Sequence, residues 1–131
     1  MEEKNIKLFL VDDDPMVRDL YERAFRLMGY DIETAIDGQD AVEKLDKMEK
    51  LPKLILLDIL MPKMTGFDVL HYIKNSAKLK DILVVTLTSV SETEVAEKTL
   101  KLGASCYLVK SDYEPAEIAA KVEEVIAENS K

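Results

Sequence analysis

Leu54-Ile55-Leu56-Leu57 runs without a polar side chain and stops at Asp58. Leu8-Phe9-Leu10-Val11 does the same and stops at Asp12-Asp13-Asp14. A short apolar run with no alternation is the pattern of a strand covered on both faces. Strand-like segments fall at 6–11, 31–35, 53–58, 82–88 and 105–110, three of them continuously apolar, and each is followed by a stretch of helical period. The segment 31–35 is the least apolar of the set. Strict alternation of this kind predicts an α/β fold, a parallel sheet with helices packed on both faces. In such sheets functional groups gather beyond the carboxyl ends of the strands, where the strand order reverses.

The intervening segments carry their own start and stop signals. Asp14 is placed to cap the first helix, with Pro15 at its first position, and Gly29 to end it. Val17, Leu20, Tyr21, Ala24 and Met28 follow helical spacing there, as do Ala41, Val42, Leu45 and Met48 in the next segment. Thr65 and Asp68 have the spacing of a capping box leading into Phe67, Leu70 and Ile73. Ser91 and Glu94 predict a second box for a fourth helix that stops near Gly103. Pro115 opens the last helix, with Ile118, Val122, Val125 and Ile126 on one face.

The 131 residues suit one domain, 1–131, with a single well-developed core. A net charge of −8 argues against direct nucleic-acid or anionic-membrane contact. No apolar run approaches the roughly 20 residues that span a bilayer, and the polar start Met1-Glu2-Glu3-Lys4-Asn5 does not resemble a signal peptide. The lone cysteine, Cys106, excludes an intrachain disulfide and reads as a small packing residue. Together these features predict a cytoplasmic protein.

The strand ends supply the chemistry. Asp12 and Asp13 follow the first strand, Asp58 the third, Thr88-Ser89 the fourth and Lys110 the fifth. Two like charges about 4 Å apart repel by roughly 4 kcal/mol at an effective dielectric near 20. Converging carboxylates therefore call for a cation, and oxygen donors suit a hard one such as Mg2+. Lys110 offsets part of the charge, and lysine with a hydroxyl can also stabilise an anion in transfer.

These residues resemble the receiver domain of two-component response regulators, of the chemotaxis-response-regulator type, along nearly the whole chain. The resemblance rests on the Asp12-Asp13 pair, Asp58 within Leu56-Leu57-Asp58-Ile59-Leu60-Met61-Pro62, Thr88-Ser89, and Lys110 at the end of Gly103-Ala104-Ser105-Cys106-Tyr107-Leu108-Val109-Lys110. It implies a flavodoxin-like (βα)5 fold with strand order 2-1-3-4-5. It further implies that Asp58 accepts a phosphoryl group from a histidine kinase or phosphotransfer protein. Asp12, Asp13, Asp58 and the backbone carbonyl of Leu60 would hold Mg2+. Lys110 and Thr88 would bind phosphoryl oxygens, and Thr88 and Tyr107 would be the switch residues. The face made by the fourth helix, fifth strand and fifth helix would then change its affinity for a downstream effector protein. Such a chain is a switch rather than an enzyme, promoting only its own phosphorylation and slow dephosphorylation.

Two positions depart from the family pattern. Ser111 follows Lys110 where the family usually has proline, which predicts a differently shaped loop at 111–114. Leu60 and Val90, two residues beyond Asp58 and Thr88, are both apolar and cannot orient a hydrolytic water, so the acyl phosphate should be long-lived. Thr86 competes with Thr88 for the hydroxyl role, and His71 reads as a surface residue. Two other functions remain open. The Asp12-x-Asp14 order resembles a haloacid-dehalogenase-like phosphatase with Asp12 as nucleophile, and a scaffold of the same fold could signal without phosphorylation.

Overall fold

A computed structural model of the chain describes residues 5–130. Residues 1–4 and 131 lie outside that range. Elements alternate in the order β1 (Lys7–Val11), α1 (Pro15–Leu27), β2 (Asp31–Ala35), α2 (Gly38–Lys47), β3 (Leu54–Leu57), α3 (Gly66–Lys74), β4 (Leu83–Thr88), α4 (Thr93–Lys101), β5 (Cys106–Val109) and α5 (Pro115–Glu128). A short 3-10 turn, Lys110–Asp112, joins β5 to α5. The five strands form one sheet in the order β2-β1-β3-β4-β5, and every pairing is parallel. The expected fold class and strand order hold, with strand ends trimmed by a residue or so where the ladder gives way to the functional loops.

Period-two alternation divides the strands between two apolar layers. Leu8, Leu10, Leu54, Leu56, Val85 and Leu87 face α1 and α5, against Tyr21, Phe25, Ile118 and Val122. Phe9, Val11, Ile55, Leu57 and Val84 face the other way, against Ala41 and Leu45 of α2 and Val69, Leu70 and Ile73 of α3. Every residue of β3 is 0% exposed. Covering on both faces is why its sequence shows no alternation, and each such side chain contributes about 1.5–3 kcal/mol.

Helix ends follow local chemistry. Asp14 accepts from the amides of Met16 and Val17 at the start of α1, and Gly29, at φ 94°, closes that helix. Thr65 and Asp68 form the expected reciprocal box at α3. At α5 the Glu117 carboxylate accepts the Glu114 amide at 2.8 Å.

Two expectations are corrected. Leu20 is 52% exposed, and the buried stripe of α1 runs through Tyr21 and Phe25. The Ser91–Glu94 box does not form. α4 starts at Thr93 with no side-chain cap, because Glu92 is still extended and the helix begins too late for Ser91 to reach its amides. Among the described residues no helix is long and apolar enough to cross a membrane.

Candidate functional site

The register of β1 with β3 sets the site. Val11 pairs with Leu57, and the amide of Asp58 donates to the Val11 carbonyl at 3.1 Å. The next residue on each strand is an aspartate, so Asp12 and Asp58 emerge side by side. Asp13 follows on the β1–α1 loop. Asp12, Asp13 and Asp58 each present a carboxylate oxygen within 4.8 Å of the others. Asp12 is 1% exposed and Asp58 5%, while Asp13 faces solvent.

Lys110 enters from the end of β5, two strands away from β3. Its Nζ lies 2.6 Å from Asp12 Oδ2 and 3.1 Å from Asp58 Oδ2. Asp12 also accepts the Asp14 amide on Oδ1 at 2.9 Å. Burial pushes the Asp12 carboxyl above its ordinary range, and Lys110 and the Asp14 amide only partly pull it back. For Lys110 burial acts downward, yet the combined pull of Asp12 and Asp58 holds the ammonium above its ordinary value. Each charged group is thus stabilised chiefly by the others, and removing one leaves an uncompensated charge in a nearly dry place.

One lysine does not satisfy the cluster. Asp58 Oδ1 is buried with no hydrogen-bond partner. A buried carboxylate oxygen left unpaired is costly, and here it opens onto two other acids. The donor set, all oxygen with a partly exposed ligand that leaves room for water, fits a hard divalent cation such as Mg2+.

The remaining expected residues surround this pocket. Thr88 ends β4 and is 0% exposed. Its hydroxyl accepts the Val90 amide at 3.4 Å. Thr86 is equally buried but lies two residues back, level with Leu57 inside the sheet, so Thr88 is the hydroxyl at the rim. Tyr107 is half-buried, and its hydroxyl donates to the Val90 carbonyl at 2.5 Å, tying β5 to the β4–α4 loop. Burial and then the charge of Asp58 raise its phenol pKa. Leu60 projects its side chain to solvent, 63% exposed. Asp14 is engaged in capping α1 and is not one of the clustered acids, which removes the second carboxylate that a D-x-D phosphatase needs. His71 is exposed on α3.

Two residues escaped the sequence reading. Arg18 Nη1 donates to the Asp12 carbonyl at 2.8 Å, bracing the backbone behind the acid. Its only sequence signal is a basic residue one turn into α1. Gly66 opens α3 directly against Asp58, where an added Cβ would lie 2.3 Å from the Asp58 carbonyl oxygen and 2.6 Å from Ile59 Cα. The Gly66 amide donates to the Ile59 carbonyl at 2.9 Å, closing the loop.

An acid pocket with a lysine at the carboxyl rim of a 2-1-3-4-5 sheet is the arrangement of a signalling receiver. Residues 8–123 match the response regulator receiver domain family, and the chain belongs to it. It is 32% identical over 120 residues to a probable transcriptional regulator, ycf27, of Porphyridium aerugineum, covering 92% of this chain and 48% of the relative. It is 35% identical over 120 residues to the transcriptional regulatory protein CpxR homolog of Haemophilus influenzae, covering 92% and 50%. The chain therefore spans about half the length of these curated relatives. Among solved structures, the chemotaxis response regulator CheY4 of Vibrio cholerae superposes with a TM-score of 0.83 at 28% identity, covering 92% of this chain and 98% of that one. Membership makes the chain a module of two-component signalling, a phosphorylation-dependent switch rather than a conventional enzyme.

Proposed function

We propose that Asp58 accepts a phosphoryl group from a phosphohistidine on a histidine kinase or phosphotransfer protein, and that the reaction depends on Mg2+. The observation that carries this reading is the buried, unpartnered Asp58 Oδ1 beside Asp12, Asp13 and Lys110. A carboxylate oxygen of Asp58 forms the new P–O bond as the P–N bond breaks, and the electron pair of that bond stays on the imidazole nitrogen. Asp12, Asp13, Asp58 and the carbonyl of Leu60 would hold the cation. When bound, Mg2+ supplies neutralisation of charge on the transferring group. Lys110 keeps an ammonium beside the acceptor oxygen, and Thr88 offers a hydroxyl at the same rim.

The donor's approach is suggested by α1. Met16, Leu20 and Leu27 are 82%, 52% and 70% exposed and share one side of the helix at helical spacing. This stripe begins two residues after Asp14, so a partner helix laid along it reaches the pocket. Output passes through Thr88 and Tyr107 to the face made by α4, β5 and α5, where an effector protein binds. The added phosphoryl brings about 1.5–2 negative charges, enough to bias a two-state surface. The chain's acidity favours a protein effector over direct nucleic-acid contact, and a cytoplasmic location accords with the family's signalling role. Residues 1–131 act as one receiver domain.

Incubation with acetyl phosphate and Mg2+, read by intact mass, tests the chemistry. One added phosphoryl mass is expected, lost in Asp58→Asn and on chelation of the metal. An unmodified wild type refutes the proposal. Leu20→Glu should slow transfer from a phosphorylated kinase and leave the acetyl phosphate reaction unchanged.

A further inference from the structure

Among the described residues, α4 is the α-helix with the fewest buried side chains. It has no side-chain N-cap, and Thr99 is its only buried residue. The Thr99 hydroxyl turns back to the Ala96 carbonyl of the same helix. Among the described residues, the polar contact between α4 and a neighbouring helix is that of Lys98 Nζ, 4.1 Å from the centroid of the Phe67 ring. Phe67 is the second residue of α3 and follows Gly66, whose Cα has no room for a side chain because the Asp58 carbonyl lies against it. A continuous set of contacts therefore runs from the acceptor backbone through Gly66 and Phe67 to Lys98.

We propose that Lys98 resting on Phe67 is a latch that fixes α4 against α3 and carries changes at the acceptor pocket to the α4 face. This route is separate from Thr88 and Tyr107. In the transmitting role it rests on the functional reading above; as a latch it stands on the contact alone. The physical case is that an ammonium over an aromatic face is attracted by the ring quadrupole. A helix without a cap and with one buried side chain has few other interactions to oppose local opening. A displacement of the Asp58 backbone moves Gly66 because the two touch. Phe67 is rigidly attached to Gly66 through the first turn of α3, which the Thr65–Asp68 box holds.

Amide hydrogen exchange on the whole chain tests both parts. Without any phosphoryl mimic, Lys98→Gln should speed exchange across 93–101 by about two- to five-fold, the factor that corresponds to an exposed cation–π contact. Lys98→Arg should keep it near wild type, since guanidinium also stacks on aromatic faces. Phe67→Leu should behave like Lys98→Gln. Unchanged exchange in Lys98→Gln and Phe67→Leu overturns the latch. With beryllofluoride and Mg2+ added, and occupancy followed by fluorine NMR, the exchange change that wild type shows in α4 should shrink in Lys98→Gln at equal occupancy. A full-sized change at equal occupancy overturns the transmitting role. Absence of beryllofluoride binding in wild type would instead refute the functional reading, and the comparison without the mimic would still decide the latch.

Discussion

Adding a single methyl at Gly66 tests how tightly the acceptor is braced. In Gly66→Ala the new Cβ would lie 2.3 Å from the Asp58 carbonyl oxygen and 2.6 Å from Ile59 Cα. Both are backbone atoms, so no side-chain rotation relieves the overlap. α3 and the Asp58 loop must separate by about 1 Å to reach ordinary contact near 3.4 Å. Overpacking of this kind costs about 1–3 kcal/mol. Alanine returns roughly 0.5–1 kcal/mol through its lower unfolded-state entropy. The net expectation is destabilisation of up to about 2.5 kcal/mol. The kinetic effect is larger in proportion, because the displaced atom belongs to Asp58, the proposed acceptor. A misplacement near 1 Å costs about 100-fold in a positioned reaction, and Lys110 at 3.1 Å from Asp58 has little reach to spare. Urea unfolding measures the first quantity and the initial rate of acetyl phosphate labelling the second. Wild-type stability together with a wild-type labelling rate would show that α3 does not brace Asp58.

Lys110→Met leaves Asp12 and Asp58 facing each other without their shared cation. Urea unfolding should show a loss of about 3 kcal/mol at neutral pH, shrinking at mildly acidic pH as Asp12, whose carboxyl is already raised by burial, takes up a proton. Leu60→Asn and Val90→Gln, separately and together, should accelerate hydrolysis of the Asp58 acyl phosphate, read as decay of the labelled mass after removal of donor. A wild type that already decays fast and does not respond to either change would contradict the role given to those apolar positions. For Tyr107 the folded-state pKa lies above 10.0, through burial and then the Asp58 charge. Its neutral form therefore stabilises the fold fully below 10.0, and that contribution is lost as pH rises through the folded value. Tyr107→Phe, which lacks the bond to the Val90 carbonyl, should show a smaller alkaline decline in unfolding free energy.

Much of this molecule is legible from patterning because its sheet is covered on both faces. β1, β3 and β4 announce themselves as apolar runs, and the acids that end the first two are conspicuous because burial normally excludes them. β2 is faint for a related reason: it is an edge strand, with Asp31 exposed and Glu33 only partly covered. α1 misled because it carries apolar side chains on opposite sides. Tyr21 and Phe25 pack inward while Leu20 and Leu27 face solvent, and spacing alone does not say which stripe meets the sheet. The missing cap of α4 has a local cause too, since a Ser-x-x-Glu spacing is realised only where the chain turns helical at the right residue. Gly66 and Arg18 were out of reach for another reason. One is defined by a close approach of two backbone segments, the other by a guanidinium meeting a carbonyl on the preceding loop, and neither leaves a periodic trace.

The backbone ladder between β1 and β3 has a mechanical corollary. Val11 and Leu57 are locked in register, and neighbouring strands keep a separation of about 4.8 Å, so the aspartates just beyond them cannot drift apart to ease their mutual repulsion. Relief has to come from outside as positive charge. On the proposed reading, an extra anion covalently installed at this rim would meet the same inflexible footing, and the load it creates would pass sideways to the loops after β4 and β5.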